Sequence, residues 1–286
     1  MDTDKRPAAE SALGGFLRAR RAQLRPEDAG LSTSGRRRVP GLRREEVALL
    51  AGVSVDYYMR LEQGRERHPS RQVLDAVAKA LRLDDAAVGY LYQVAVPSAR
   101  RMRRSHRVER VSRPMQQLIE SWSDTPAFIL GHSLDILARN QLAEALHTGF
   151  NYSDNLVRMT FLDSFARDFY REWDRAAVSC VAALRQAAGG DPDDRRLIEL
   201  VGELSVKSGE FRDLWARHDV QGKTREAKLF RHPAVGDLEL HYEAFTIHSA
   251  ADQQLVVYQA EAGSPSVDAL ALLGSLSAVP APQTPP

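Results

Sequence analysis

The segment from Arg44 to Leu61 constrains the fold more than any other, because small and apolar residues occupy the offsets of two short helices joined by a glycine turn. With Arg44 as the first position, the fourth, fifth, eighth, ninth, tenth, fifteenth and eighteenth positions are Val47, Ala48, Ala51, Gly52, Val53, Tyr58 and Leu61. Two helices that lock at a steep angle need a small residue at the crossing, a glycine in the turn and apolar residues at the other offsets. The segment therefore predicts a helix-turn-helix with Ala48 at the crossing and Gly52 in the turn.

The second helix of this pair has two chemically different sides. At 100° per residue, Tyr58 and Leu61 point inward, whereas Asp56 and Arg60 lie on the opposite side. Periodicity alone permits either an ordinary buried hairpin or a surface that lies in a groove of DNA. The polar character of the second side favours the DNA-binding interpretation, and it separates the adjacent tyrosines into a core residue, Tyr58, and an exposed one, Tyr57.

The side chains on the exposed side match the groups that double-stranded DNA presents. An arginine such as Arg60 donates to guanine O6 and N7, an aspartate such as Asp56 accepts from cytosine N4, and an apolar side chain such as Val55 contacts a thymine methyl. A tyrosine hydroxyl and helix N-termini suit phosphate, and a loop with three consecutive arginines precedes the motif. The predicted DNA-binding residues are Arg37, Arg38, Arg44, Ser54, Val55, Asp56, Tyr57 and Arg60.

The net charge of +1 hides an asymmetry between the two parts of the chain. Residues 1–113 contain 24 Lys and Arg against 14 Asp and Glu, a net charge of +10, and the rest of the chain carries −9. A basic part that suits a polyanion, joined to an acidic part that repels one, predicts two domains with two roles. The expected boundaries are a disordered N-terminus at 1–10, a DNA-binding domain at 11–96, a basic linker at 97–113, a ligand-binding and dimerisation domain at 114–275 and a disordered tail at 276–286.

Hydrophobic periodicity predicts a different fold class for each domain. A helix from Ser11 precedes helical segments at about 43–51, 54–62, 70–82 and 84–94, which makes a five-helix all-α domain. After residue 114 the pattern gives a short helix, two strands, a block of helices and three more strands. This order is typical of an α+β domain with a five-stranded antiparallel sheet.

The two domains resemble one known family of regulators. The stretch "RREEVALLAGVSVDYYMRLEQGRERHPSRQVLDAVAKALRL" is similar to the Xre-type, lambda-repressor-like helix-turn-helix domain, over about residues 11–95. Within it, "VDYYMRLEQGR" and "HPS" resemble the MmyB-like branch. The stretches "PAFILGHSLDILARNQLAEAL", "LVGELSVKSGEFRDLWARHDV" and "FRHPAVGDLELHYEAF" resemble the MmyB-like ligand-binding domain, over about residues 114–272.

This resemblance implies a transcription factor whose third helix reads the major groove and whose C-terminal domain is PAS-like. It also implies small-molecule sensing, with fatty-acid-like ligands as a candidate class. Large apolar and cationic side chains are the candidates for contact with such a ligand, although each of the apolar ones is more often core than cavity wall. The predicted ligand-binding residues are Trp122, Phe128, Asn140, Phe161, Phe165, Trp215, Arg217, His218 and Tyr242.

No motif in the sequence predicts catalysis or a metal. The histidines lack metal-ligand spacing, and no nucleophile elbow or glycine-rich phosphate loop is present. The chain is therefore expected not to be an enzyme and to need no cofactor. Expected partners are an operator with two half-sites, a second copy of the chain, a small lipophilic ligand and RNA polymerase, in the cytoplasm on the nucleoid and without a membrane. The alternative is a regulator whose C-terminal domain serves dimerisation and protein interaction without a ligand.

Overall fold

The computed structural model of the chain forms two compact units, and each is described on its own. The first contains the described residues between 11 and 95, and the second contains most of those between 109 and 278. The residues that the structure describes are 11–31, 41–66, 68–95, 109–190, 194–217 and 227–278. The predicted N-terminal segment 1–10 and most of the predicted linker therefore lie outside the described residues. Within these ranges, no helix is both long and apolar enough to cross a membrane.

The described chain between residues 11 and 95 forms five helices, which confirms the predicted all-α domain. They are α1 (Ala12–Gln23), α2 (Arg44–Ala51), α3 (Val55–Glu62), α4 (Arg71–Ala80) and α5 (Asp85–Ala95). Ser11, Ser54 and Ser70 precede α1, α3 and α4, and each side-chain oxygen accepts a hydrogen bond of 3.0–3.3 Å from a backbone N–H in the first turn. Serine at this position satisfies an N–H group that has no partner inside the helix. The sequence thus fixes where these three helices begin.

Apolar side chains from all five helices form the core of the N-terminal unit. Phe16 of α1 and Tyr58 and Leu61 of α3 are almost completely buried. Phe16 also packs edge-on against Tyr90 of α5, with 5.1 Å between the ring centres. Each large side chain buried in this way stabilises the unit by about 1.5–3 kcal/mol. The inward side of α3 is therefore committed to packing.

Gly14 allows α1 to pack closely against the end of α3. A Cβ atom on Gly14 would overlap the backbone carbonyl oxygen of Glu62, and a backbone atom cannot rotate away. We expect Gly14→Ala to lower the free energy of unfolding of this unit by about 1–3 kcal/mol. Gly89→Ala in α5 is the matched control, because nothing lies within 4 Å of the added methyl group. Urea unfolding followed by circular dichroism measures both, and equal stabilities would contradict the close approach.

The C-terminal unit is an α+β domain with a five-stranded antiparallel sheet, as predicted. The strands are β1 (Ala127–Leu130), β2 (Ile136–Arg139), β3 (Lys228–His232), β4 (Gly236–Thr246) and β5 (Gln254–Gln259). Their order in the sheet is β2-β1-β5-β4-β3, so the first and last strands in sequence lie side by side at its centre. The helices are α6 (Arg113–Glu120), α7 (Gln141–Leu146), α8 (Leu156–Leu162), α9 (Ala166–Phe169), α10 (Trp173–Gly190), α11 (Arg195–Lys207), α12 (Gly209–Ala216) and α13 (Pro265–Ala278). This is the PAS-like arrangement that the resemblance implies.

The two faces of the sheet bury different side chains, because neighbouring residues of a strand point to opposite faces. On one face, Ala127 and Ile129 of β1 pack with Val257 of β5 and with Ile119 of α6. On the other face, which we call the inner face, the large side chains are aromatic. Tyr258 contacts both Phe128 and Phe230 there, with ring centres 5.7 and 5.5 Å apart. The alternation of the strands therefore places aliphatic strand residues on one face and an aromatic layer on the other.

The last helix, α13, was not predicted from the sequence. It runs from Pro265 to Ala278, three residues into the predicted disordered tail, and the rest of that tail lies outside the described residues. Proline suits the first turn of a helix because its missing N–H has no intrahelical partner there. Leu270 and Leu273 are buried, but apolar residues also occupy the exposed side, so the segment lacks the one-sided pattern that periodicity detects. At the other end of the unit, α6 begins at Arg113, inside the predicted linker.

Candidate functional site

The turn between α2 and α3 has the geometry that the sequence predicts. Gly52 adopts a left-handed conformation with φ +66° and ψ +30°, which glycine reaches without the steric cost that other residues incur. The following N–H, of Val53, donates to the carbonyl of Ala48 at 3.0 Å. Tyr58 is fully buried and Tyr57 only partly so. The prediction that Tyr58 belongs to the core is therefore confirmed, whereas Tyr57, predicted to be exposed, is partly buried and packs against the edge of the core.

The outward side of α3 presents a continuous set of solvent-exposed side chains. Val55, Asp56, Arg60 and Gln63 are exposed, and Val55 retains 48% of its accessible surface although it is apolar. Helical spacing places Asp56, Arg60 and Gln63 together and puts Val55 at the edge, beside Tyr58. The structure thus brings four predicted DNA-binding residues, Val55, Asp56, Tyr57 and Arg60, to the outward side or its edge. It places Ser54 directly before them, where its hydroxyl oxygen caps the helix by accepting from the N–H of Tyr57.

Arg60 is held loosely in the centre of this side. Its guanidinium lies 5.7 Å from the ring centre of Tyr57, and one nitrogen is 3.5 Å from the carboxylate of Glu66. An exposed pair of this length is worth little in water, so another partner can replace Glu66 at small cost. Burial and the nearby Glu66 raise the pKa of Tyr57. The Tyr57 phenol therefore stays protonated at neutral pH and keeps its O–H as a hydrogen-bond donor.

Arg44, another predicted DNA-binding residue, belongs to a buried ionic cluster. The Glu62 side chain is only 1% exposed; it accepts from Arg44 Nε at 2.7 Å and from Arg21 Nε at 2.6 Å. Arg21 also donates to the carbonyl of Leu42 at 2.8 Å. Arg44 remains 45% exposed and uses one of its five N–H donors in this pair. Glu62 therefore orients Arg44 and does not itself face solvent. Arg37 and Arg38 lie outside the described residues.

In the C-terminal unit, a shallow recess opens on the inner face of the sheet. Its floor is Phe128, Ala143 and His147, which are buried, and its rim is Ile136, Arg139 and Leu156, which are partly exposed. The recess has no enclosed volume large enough for a water molecule. One predicted ligand-binding residue, Phe128, lies in its floor. The recess is thus an apolar site with one imidazole in the floor and one guanidinium at the rim.

His147 is the polar group in that floor, and one of its ring nitrogens has no partner. The side chain is 7% exposed, and its Nδ1 lies 2.9 Å from the carbonyl oxygen of Ala143. Because a carbonyl only accepts, Nδ1 carries the proton and Nε2 carries a lone pair. Within the described part of the chain, Nε2 has no hydrogen-bond partner. Burial lowers the pKa of His147 to about 4, and the positive charges of Arg139 and Lys228 add to this effect. The imidazole is therefore neutral at pH 7.

The low pKa of His147 predicts a specific loss of stability in acid. An exposed histidine has a pKa near 6.5. Below that pH, His147 is therefore protonated in the unfolded chain while it stays neutral in the folded chain. The contribution of the neutral His147 to the free energy of unfolding is fully present above pH 6.5. It is lost as the pH falls towards 4, by about 1.4 kcal/mol per pH unit. Between pH 7.5 and 5.0, wild-type protein should lose about 2 kcal/mol more than His147→Phe, as measured by urea unfolding and tryptophan fluorescence. Equal losses would contradict a buried neutral imidazole.

Two other predicted ligand-binding residues lie in the aromatic layer of the inner face. Tyr242 pairs across the sheet with Tyr258, and the Lys228 amine lies 5.0 Å from its ring centre. Phe165 packs edge-on against Phe150, with 5.0 Å between the ring centres. Both contact the shell around the recess but do not line it.

The remaining predicted ligand-binding residues lie elsewhere. The amide of Asn140 accepts from two backbone N–H groups and donates to two carbonyls, so its hydrogen-bonding capacity is used by the fold. Trp122 packs on the opposite face of the sheet, and Phe161 packs between Trp173 and Phe211. Trp215 and Arg217 fall outside the compact C-terminal unit. His218 lies outside the described residues.

Sequence reasoning missed His147 and Arg139 as parts of a site. The only sequence signal for His147 is its position four residues after Ala143, on the apolar side of α7. A histidine at such a position is ordinarily a core residue whose ring nitrogens both have hydrogen-bond partners. Only the structure shows that Nε2 has none among the described residues. For Arg139 there is no local signal, because the recess forms only when β2 and the α7 region come together.

The described residues contain no group of histidine, cysteine and carboxylate side chains that could hold a metal ion. Burial also raises the pKa of the Cys180 thiol to about 11. A thiol that stays protonated at neutral pH is a poor nucleophile.

Comparison with known families gives two matches, which coincide with the two units. A family model described as the MmyB-like transcription regulator ligand binding domain matches residues 111–273, more than half of the chain. A second model, described as a helix-turn-helix domain, matches residues 12–91. A search of curated proteins gives no match. Both resemblances seen in the sequence are confirmed, and the chain belongs to the MmyB-like transcription regulators, with a helix-turn-helix unit followed by the ligand-binding domain of that family.

Proposed function

We propose that the protein is a homodimeric, sequence-specific operator-binding regulator whose affinity for DNA is controlled by a small molecule in the C-terminal domain. The observation that carries the DNA-binding part is the outward side of α3. Asp56 and Arg60 project from a helix that its opposite side, with Tyr58 and Leu61, locks into the core. A rigid helix with a polar side free of packing is what major-groove recognition requires.

The exposed side chains divide into base-reading and phosphate-binding groups. Arg60 donates to guanine O6 and N7, Asp56 accepts from cytosine N4, and Val55 contacts a thymine methyl. Ser54 and Tyr57 lie at the start of α3, where backbone N–H groups and hydroxyls suit phosphate. Arg44, oriented by Glu62, and the arginines Arg37 and Arg38 add phosphate contacts.

A dimer supplies the affinity that one helix-turn-helix lacks. A single reading helix contacts few base pairs, and two half-sites one helical turn apart double that number. In this proposal residues 11–96 bind DNA, residues 97–113 connect the domains, and residues 114–275 sense the ligand and dimerise. The net charge of +10 on residues 1–113 attracts DNA, and the net charge of −9 on the rest of the chain repels it. The protein acts on the nucleoid in the cytoplasm.

The alternative role for the C-terminal domain is to bind another protein, such as RNA polymerase, without a ligand. One observation favours it: Leu272 and Leu276, one turn apart on α13, are each about half exposed. Apolar side chains that face solvent together are typical of protein-binding surfaces. Substituting both with serine should weaken a protein contact and leave the response of DNA binding to small molecules unchanged.

Selection of operator sequences from random DNA tests the proposal. We expect the full chain to enrich a pseudo-palindromic site and to bind it as two chains per duplex, as measured by sedimentation of the complex. Enrichment of one asymmetric half-site by a monomer would contradict the dimer. Absence of any enriched sequence, with uniform salt-dependent binding, would contradict sequence-specific recognition altogether.

Arg60→Ala tests the reading helix itself. We expect it to weaken binding to the selected operator by about 1–3 kcal/mol and to leave binding to random DNA nearly unchanged. Lys79→Ala, which removes one exposed positive charge from α4, is the control and should have little effect on either. Fluorescence anisotropy at fixed salt measures all four affinities. An equal loss on both DNAs would show that Arg60 contacts only phosphate.

A further inference from the structure

Half of strand β4 lacks a neighbouring strand on one side. β4 has 11 residues and β3 only 5, and β3 pairs with β4 only as far as Leu240. Residues 241–246 pair with β5 on their other side in an unbroken register. On the β3 side, no described residue forms a backbone hydrogen bond with this stretch. The stretch is therefore an edge of the sheet, although β4 itself lies between two strands.

The backbone groups that face this edge follow from the alternation of an antiparallel pair. The N–H of Ile247 donates to the carbonyl of Gln253 at 3.0 Å, across the turn that joins β4 to β5. Since successive residues of a strand direct their N–H and C=O groups to opposite sides, the odd-numbered residues of this stretch face β5. Tyr242, Ala244 and Thr246 therefore direct their backbone groups away from β5, to what we call the open edge.

The open edge lacks the features that usually prevent strand pairing. An unpaired edge is a template for another strand, and proteins commonly block it with proline, lysine or a bulge. The stretch HYEAFT contains neither proline nor lysine, and its register with β5 is unbroken. Phe245, next to the open edge, is 54% exposed although it is aromatic. The described part of the chain thus leaves both the backbone groups and an apolar side chain of this strand in solvent.

We propose that the open edge pairs with the open edge of a second copy of the chain, antiparallel and about a two-fold axis at Ala244. The inference rests on the proposed homodimer and names the surface that forms it. In this register Ala244 faces the partner's Ala244, and Tyr242 faces the partner's Thr246. Each of these three residues then donates one N–H···O=C hydrogen bond to the partner and accepts one. The two five-stranded sheets become one continuous sheet.

Symmetry and charge select this register. A two-fold axis keeps the inner faces of both sheets on one side, so only residues of the same face oppose each other. An axis at Glu243 would place this carboxylate opposite the partner's Glu243, and like charges directly opposite each other are unfavourable. It would also leave Thr246 unpaired, and an axis at Phe245 would leave Tyr242 unpaired. With the axis at Ala244, Glu243 lies opposite the partner's Phe245 and the small side chain is at the centre.

Cysteine cross-linking tests this register. In Ala244→Cys the two new cysteines face each other across the axis with Cα atoms about 5.5 Å apart, within the range that a disulfide spans. Thr246→Cys is the matched control on the same edge, because its two cysteines lie more than about 13 Å apart. We expect mild oxidation of the full chain to convert most of Ala244→Cys to covalent dimer. Thr246→Cys and wild-type protein, which keeps its own Cys180, should stay uncross-linked. Equal cross-linking of the two variants, or none in either, would overturn the proposal.

Ala244→Pro tests the hydrogen bonds of the edge. It removes the N–H that faces the partner and leaves the pairing of β4 with β5 intact, since proline is tolerated where the N–H points away from the sheet. The loss of one hydrogen bond in each copy should raise the dimer Kd by about tenfold or more, as measured by sedimentation of the full chain. Ala244→Val keeps the N–H and should dimerise like wild type. A folded proline variant with an unchanged Kd would overturn the proposal, and if it does not fold, the cross-linking experiment decides.

Hydrogen exchange distinguishes a second copy from any other cover of the edge. In the wild-type dimer the amides of Tyr242, Ala244 and Thr246 should exchange slowly, and dilution to monomer should make their exchange fast. Slow exchange that persists in the monomer would overturn the proposal, because the same chain would then cover its own edge. Fast exchange in a wild-type dimer would overturn it as well.

Operator binding by the same proteins keeps this inference separate from the proposed function. If two wild-type chains bind each operator and Ala244→Pro does so equally well, the homodimer stands and the open edge is not its interface. If Ala244→Cys cross-links as expected while a single chain binds each operator, the interface stands and the dimeric operator complex fails. A wild-type protein that stays monomeric at every concentration overturns the inference, whereas its operator affinity and sequence preference still test the proposed function.

Discussion

Glu62→Gln is expected to lower the free energy of unfolding of the N-terminal unit by about 3 kcal/mol. Glu62 is buried between two arginines, and the neutral amide removes the charge that both of them need. Removing one partner of a buried ion pair costs about 3–5 kcal/mol. Because Arg44 is partly exposed, we expect a loss near the lower limit of this range. Hydrogen exchange of the α1 and α3 amides measures the loss within the full chain.

Glu45→Gln is the matched control for that charge change. Glu45 lies in the first turn of α2 and pairs with Arg43 at 3.5 Å, with both side chains about half exposed. Its replacement should change the stability by no more than about 0.5 kcal/mol. If Glu62→Gln were as mild as Glu45→Gln, the buried cluster would not hold α1, α2 and α3 together.

Asn140→Ala is expected to destabilise the C-terminal unit by about 3–5 kcal/mol. The substitution leaves four backbone groups without their partner: the N–H groups of Ala127 and Ala143, and the carbonyls of Trp122 and Thr125. Each buried polar group that loses its partner costs about 1–3 kcal/mol, and partial relaxation lowers the sum. Urea unfolding followed by tryptophan fluorescence measures this loss.

Asn140→Asp sharpens the test, because it keeps the shape and both accepted hydrogen bonds. A carboxylate oxygen then faces the carbonyls of Trp122 and Thr125, which raises the pKa of the new group above that of an unfolded aspartate. A raised carboxyl pKa means that the folded form gains stability as the pH falls. The variant should therefore be weakened at pH 7 and partly recover near pH 4, relative to wild type. Wild-type stability at pH 7 would show that Asn140 does not donate to these carbonyls.

The sequence predicts the N-terminal unit closely because its signals are local. A glycine turn at residue 52, serine caps at residues 54 and 70 and a regular apolar spacing each act within one or two helical turns. The division of α3 into Tyr58 inside and Arg60 outside follows from the same spacing. The Glu62 cluster could not be predicted in this way. The residues next to Glu62 in the sequence do not indicate that Arg21, 41 residues earlier, pairs with it in the core.

The site in the C-terminal unit depends on contacts that are distant in sequence, and most of it was not predictable. Large aromatic residues are equally suited to core and to cavity, so composition did not separate Phe128, which lines the recess, from Phe161, which packs between helices. The sheet order that places β1 beside β5 decides which side chains share the inner face. Only the structure shows that Nδ1 of His147 has a partner and that Nε2 has none among the described residues.

The central claim is that Arg60 reads a base from the outward side of α3, and a thermodynamic cycle tests it. Each guanine of the selected half-site is replaced in turn, and the affinities of wild-type and Arg60→Ala protein for each duplex are measured at one salt concentration. We predict that at one base pair the replacement costs the wild type about 1–3 kcal/mol and costs Arg60→Ala almost nothing. Additive losses at every base pair would contradict the claim, because Arg60 would then contribute to affinity without reading the sequence.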